Sequence, residues 1–206
     1  RHELHLNLYL ARVIDDSNHP LVQILGIHPS NLIYWTTEFP WGYTGDTSDF
    51  VAIELERTDS GNELKIYLFE FKKDSIDRHA LAEVLLYAPW VARVVFHAMA
   101  NRNIKKIKVI PILIGFRVRL RAVPWYTSPI QLHNLCGQRV DLEVDVPILF
   151  EYRPIGVFQQ NGLYYARDLQ FNRVRRPIRG IPPLPTSFTA TKVERDYIVN
   201  NYLQGF

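Results

Sequence analysis

Glu70 and Lys72 stand two positions apart in Leu68-Phe-Glu-Phe-Lys-Lys73, at the end of an otherwise apolar run. In an extended strand alternate side chains share a face, so the carboxylate and the amine point together while Phe69 and Phe71 point to the other side. An acid-x-base pair alone is a common surface ion pair. A second acid changes its meaning. Asp49 follows Gly45-Asp-Thr-Ser48 and abuts the apolar run Phe50-Val-Ala-Ile-Glu-Leu-Glu56. If the two runs pair through a turn at 58–62, the start of the first lies beside the end of the second, and Asp49 meets Glu70 and Lys72. Two converging carboxylates make a hard-oxygen site suited to Mg²⁺ or Mn²⁺. An adjacent lysine can orient and help deprotonate a water, or stabilise charge developing on a phosphate. The chemistry is hydrolysis of a phosphodiester.

These residues need a scaffold that brings strand ends together. Phe50 to Glu56 and Leu64 to Phe71 read as strands around Thr58-Asp-Ser-Gly-Asn62, whose turn residues predict an antiparallel hairpin. Asp74 or Ser75 is placed to cap the following helix, whose apolar stripe is Ile76, Ala80, Leu81, Val84, Leu85 and Ala88. Pro89 lacks an amide donor and is expected to kink this helix or begin another, ending near Asn101. Val109 to Gly115 is a continuous apolar run bounded by charge and glycine, hence a buried central strand. Strand, strand, helix, strand predicts an α/β fold with a mixed β-sheet flanked by helices. Upstream, Glu3 to Ile14 has Leu6, Tyr9, Leu10, Val13 and Ile14 on one helical face, ended by turn chemistry at 15–20. Residues 21–44 read as a packed loop with a short strand. Downstream, Val146 to Phe150 reads as a strand, Pro177 to Pro185 as an extended crossing, and Thr191 to Leu203 as a closing helix. The division expected is a core over 1–120 and a basic C-terminal elaboration over 121–206, packed as one domain.

Gly45-x-x-x-Asp49, then Glu70-x-Lys72, then a helix, resembles the PD-(D/E)xK nucleases, which include restriction endonucleases, archaeal-type Holliday junction resolvases and RecB-like nucleases. The resemblance covers about residues 45–115. It implies a restriction endonuclease-like core in which Asp49 and Glu70 hold the metal, the carbonyl of Phe71 is a further ligand, and Lys72 is the catalytic lysine. Asp46 is the alternative to Asp49, which directly abuts the strand. RecB-like members carry Gln-x-x-x-Tyr on the next helix; here it reads Glu83-Val-Leu-Leu-Tyr87. The spacing sets Glu83 and Tyr87 on one side of a helix, and the absent Gln favours endonuclease over exonuclease action. Family members often add a glutamate from an N-terminal helix, a place Glu3 can fill, with Glu38 also available.

Charge points to the same partner. Residues 1–116 carry a balance of −2 and residues 117–206 one of +5. The excess is concentrated at Arg167, Arg173, Arg175, Arg176 and Arg179, facing only Asp168. Such a block reads as a phosphate-facing segment or as a solvated surface. DNA is the partner expected, and a homodimer fits two cuts in a duplex or branched substrate. The aromatic content of 13% with a net charge of +3 excludes disorder. The most apolar run, Val109 to Phe116, is short against the roughly 20 residues of a spanning helix, so no membrane span is expected. Charged and apolar residues alternate at the N-terminus, so no signal peptide is expected. Lone Cys136 excludes a disulfide framework and suits an intracellular setting. No glycine-rich phosphate loop occurs, so no nucleotide cofactor is expected. His79 and His97 read as structural, Cys136 and His133 as neighbours in sequence rather than a nucleophilic pair, and the four tryptophans mostly as core. The alternatives to a nuclease are a nuclease-fold protein that binds nucleic acid without cutting, and an interaction module with a surface ion pair.

Overall fold

The computed structural model describes residues 2–40, 47–99, 102–119, 129–132 and 140–174. In chain order these form α1 (His2–Val13), α2 (Pro20–Leu25), a single 3₁₀ turn, β1 (Leu32–Pro40), β2 (Thr47–Thr58), β3 (Gly61–Ile76), α3 (Arg78–Ala98) and β4 (Ile104–Val118). Then follow β5 (Ile130–Leu132), β6 (Asp141–Val144), β7 (Ile148–Ile155), β8 (Phe158–Gln160), β9 (Leu163–Tyr165) and β10 (Asp168–Val174). The fold is α/β with a mixed sheet. One compact unit runs from Arg1 to Arg176.

The sheet is ordered β1-β2-β3-β4, and the far edge of β4 is then shared by two strands. β1, β2 and β3 are antiparallel neighbours, whereas β3 pairs parallel with β4. β6 takes the first half of the far edge of β4 and β7 the second half, both parallel to it. β5 and β10 add antiparallel edges to β6 and β7. β5, β6, β7 and β10, all beyond residue 120, thus complete the same sheet as the strands before it. Pro111 sits in the middle of β4, where a missing amide donor would ordinarily break a ladder. The carbonyl of Val109 accepts from the Asp145 amide, which puts the amide side of residue 111 on that same edge. There β6 has ended and β7 has not begun, so no partner requires a donor from Pro111.

Period-two alternation assigns the faces. Val51, Ile53, Leu64, Ile66 and Leu68 cluster under α3 with Ala80, Val84, Ala88, Val91, Ala92 and Val95. Phe50, Ala52, Tyr67, Phe69 and Phe71 face the other way, against Leu6 and Leu10 of α1, Ile14 just after it, and Leu21, Val22 and Leu25 of α2. The sheet is therefore covered on both faces, which is why its central strands read as unbroken apolar runs. Each fully buried phenylalanine contributes roughly 1.5–3 kcal/mol relative to exposure. Among the described residues, α3 is the one helix long and apolar enough to cross a membrane by length and composition; here its apolar face is buried on the sheet.

Several sequence expectations are corrected. β3 does not stop at Phe71 but runs to Ile76, with a register shift against β4 between Lys72 and Ser75. That extension displaces the helix start: the cap is Asp77, not Asp74 or Ser75, and it accepts from the amides of His79 at 3.0 Å and Ala80 at 3.1 Å. Pro89 lies inside one helix and begins no second one, because the burial of Ala88, Val91 and Ala92 holds both halves on the same sheet. The region read as a packed loop with a short strand holds the helix α2 in place of the loop, and after it the strand as the nine-residue β1. Within it Trp35 stacks on Phe50, with centroids 5.6 Å apart. The expected strand at 146–150 is β7, longer and preceded by β6. The expectations for Trp41, Asp46, Trp125, His133, Cys136, Arg175, Arg176 and Arg179, the proline crossing and the closing helix lie outside the described residues.

Candidate metal centre

The hairpin brings the predicted acids together. β2 and β3 are joined through Thr58 and Gly61, and their ladder ends with Phe50 opposite Phe69. One step further sets Asp49 opposite Glu70. The parity that buries Val51 and Leu68 under α3 puts Asp49, Glu70 and Lys72 on that same face. An Asp49 carboxylate oxygen accepts from the Phe71 amide at 2.6 Å. The N–H and C=O of one strand residue leave on the same side, so the Phe71 carbonyl is directed to the Asp49 edge as well.

Lys72 lies between two glutamates. Its Nζ donates to Glu70 Oε1 at 2.7 Å and to Glu83 Oε2, from the second turn of α3, at 2.9 Å. Glu70 is only 6% exposed, and its Oε2 is buried without a hydrogen-bond partner. Tyr87, one turn after Glu83, is buried in the core under α3. Glu3 also reaches this end of the sheet: its Oε1 accepts from the Lys73 amide at 3.3 Å. The Lys73 carbonyl in turn accepts from the Tyr152 hydroxyl at 3.1 Å, so α1 and β7 both anchor the segment after Lys72. Glu38 lies on the outer strand β1, in a left-handed backbone conformation with φ 53°.

Burial dominates the electrostatics of the pair. Burial pushes the Asp49 carboxyl up to about 6; the Phe71 amide and Lys72 oppose this, while Glu3 and Glu83 add to it. Burial and then the charge of Asp49 push Glu70 up to about 8, against the pull of Lys72. Burial would lower the Lys72 ammonium, but its hydrogen bonds to Glu70 and Glu83 and their negative charges outweigh this and raise it. Lys72 is therefore a firmly held cation. Fully ionised, Asp49, Glu70, Glu83 and Lys72 carry a net charge that one divalent cation would neutralise.

Among the described residues, no group of three or more His, Cys, Asp and Glu side chains is arranged to hold a metal. The donors available are Asp49, Glu70 and the Phe71 carbonyl. Such a set fits Mg²⁺, which keeps several waters and uses one or two carboxylates plus substrate phosphate. The orphaned Glu70 oxygen, buried beside a second carboxylate, is the atom such an ion would satisfy.

Of the expected phosphate contacts, Arg167 and Arg173 are described, both exposed, just before and within β10. Sequence reasoning missed the Tyr9 network: the Tyr9 hydroxyl donates to Asp168 at 2.8 Å and lies 3.0 Å from His19 Nε2. Asp168, the one acid in the basic segment, is thus engaged by α1. No family model, curated protein or solved structure matches this chain.

Proposed function

We propose that the chain is a metal-dependent DNA nuclease with a restriction endonuclease-like core, hydrolysing phosphodiesters in duplex or branched DNA as an endonuclease. The observation that carries this reading is the strand register, which sets Asp49 opposite Glu70 with Lys72 on the same face, at a sheet end where one Glu70 oxygen is buried unpartnered. Asp49, Glu70 and the Phe71 carbonyl would hold Mg²⁺ or Mn²⁺, which when bound supplies an activated water and Lewis-acid polarisation of the phosphate. Lys72, kept as an ammonium, donates hydrogen bonds to the phosphate oxygens as charge builds there and is not itself a base. Glu83 holds Lys72 from α3 and fixes its direction. Arg167 and Arg173, continued in sequence by Arg175, Arg176 and Arg179, track the DNA backbone without reading its sequence. A homodimer would supply the two sites that cutting both strands requires.

A second reading has one observation in its favour: Lys72 is already bonded to two carboxylates, as in a self-contained ion-pair cluster. On that reading the fold binds nucleic acid without cutting it. Incubation of supercoiled and four-way-branched DNA with Mg²⁺, Mn²⁺ or EDTA, beside Glu70→Gln and Lys72→Ala, separates the two. The nuclease reading expects metal-dependent cleavage in the parent and a loss of about 10²–10³-fold in Lys72→Ala. Cleavage at the parent's rate in both variants contradicts it.

A further inference from the structure

β7 runs parallel to β4 and β3, so it leaves the sheet at the end where β3 carries Glu70 and Lys72. Lys72 pairs with Gly115, and Gly115 with Glu151, which places Glu151 two strand spacings (roughly 10 Å) from Lys72. Four residues further, roughly 13 Å along the strand, β7 ends at Ile155 and the chain turns at Gly156, with φ 62°. The Arg167 side chain lies against Gly156, at 3.1–3.2 Å from where a Cβ would stand, and its amide bonds the Ile155 carbonyl. Between these two points β8 and β9 form a separate two-stranded ribbon. Asn161 and Gly162, both at positive φ, close it in the tight turn such hairpins favour.

Every residue of this ribbon is exposed, which a structural hairpin with three apolar or aromatic residues in its second strand would avoid. Phe158 and Tyr165 stack on one face, with centroids 5.5 Å apart; Tyr164, on the other face, is 76% exposed. No acid occurs from Tyr152 to Arg167, while Arg153 and Arg167 flank the ribbon. The nearest carboxylates, Glu151 and Asp168, are already engaged by the Val118 amide and the Tyr9 hydroxyl, which leaves the two guanidinium groups as the charges nearest the rings. Exposed rings framed by cations suit a polyanion with aromatic faces of its own.

We infer that the hairpin Phe158–Tyr165 is a stacking surface for unpaired bases of a nucleic-acid strand whose backbone passes the Asp49–Glu70 pair. This rests on the nuclease reading for its substrate and gives that site a preference for branched DNA, where an unpaired strand meets a duplex. Fluorescence anisotropy of the full chain in EDTA tests it, using a labelled oligothymidylate and an abasic oligomer of equal length. Tyr164→Ala should weaken oligothymidylate binding about 10-fold, Tyr164→Trp should restore it, and the abasic oligomer should bind weakly to all three. Equal affinity of parent and Tyr164→Ala, or of the two oligomers, overturns the inference. So does a parent that binds neither, or sedimentation showing that the substitution abolishes self-association instead. Plasmid cleavage by the same variants with Mg²⁺ keeps the two readings apart. Cleavage with unaltered oligomer binding removes the hairpin's role alone; Tyr164-dependent binding without any cleavage removes the nuclease reading alone.

Discussion

Glu70 shares one oxygen with Lys72 and buries the other, and Asp49 stands opposite; burial favours a proton on each, and the charge of Asp49 adds to this at Glu70. A carboxyl whose folded pKa exceeds its unfolded value makes the fold hold more protons than the unfolded chain between the two values; stability then falls as pH rises through that window. For Asp49 the window runs from 3.8 to about 6, and for Glu70 from 4.5 to about 8. The metal-free protein is expected to melt at a higher temperature at pH 5 than at pH 8.5. Glu70→Gln should raise Tm by about 5 °C at pH 8.5 and change it little at pH 5; an equal shift at both values would mean that Glu70 is not the group responsible. At this scale the sequence was informative. The alternation Glu70-Phe71-Lys72 assigned faces correctly, and the abutment of Asp49 on its strand placed that acid. The second bond of Lys72, to Glu83, was invisible because it depends on how α3 lies over the sheet.

Within the elements, the bulge after Lys72 has the widest consequences. The shift between Lys72 and Ser75 adds one residue to β3 against β4 and carries Ile76 over Gly115. A Cβ at Gly115 would lie 2.8 Å from Ile76 Cγ1 and 3.3 Å from the Ile76 amide nitrogen. Gly115→Val is therefore expected to lift the segment 73–76, lowering Tm and cleavage together, whereas a Tm equal to the parent's would show that the segment yields freely. Asp77→Ala removes the cap of α3 and should cost about 1 kcal/mol, read as a Tm lower by about 2–4 °C with the cleavage rate retained. Element existence was legible where apolar runs were long: β2, β3, α3 and β4 follow from periodicity. Their ends were not. A bulge answers to the neighbouring strand, so the sequence offered Asp74 and Ser75 as caps while the longer β3 passed the role to Asp77. α2 is six residues, too short to show a period, and the hairpin signal at Asn161-Gly162 is obscured by flanks of only three residues.

For the whole molecule, charge and topology converge on one end of the sheet. β3, β4 and β7 run parallel to it, α3 supplies Glu83 and α1 supplies Glu3, so the candidate centre draws on elements spread over most of the described chain. The fold class was readable because both faces of the sheet had to be covered; the joining of β7 and β10 to β4 was not, since non-local pairing leaves no local pattern. DNA affinity is expected to fall steeply with salt. Replacing Arg167 or Arg173 by Ala should reduce the slope of log affinity against log salt by about 0.9 for each phosphate that is no longer neutralised; an unchanged slope would place the DNA elsewhere. Titration with Mn²⁺, followed by calorimetry at pH 7.5, bears most directly on the Asp49–Glu70 pair. The parent should bind Mn²⁺ with release of protons, and Asp49→Asn and Glu70→Gln should each weaken binding at least about 10-fold. Mn²⁺ binding of equal strength in the parent and both variants, or none in the parent, would contradict a shared cation at this pair.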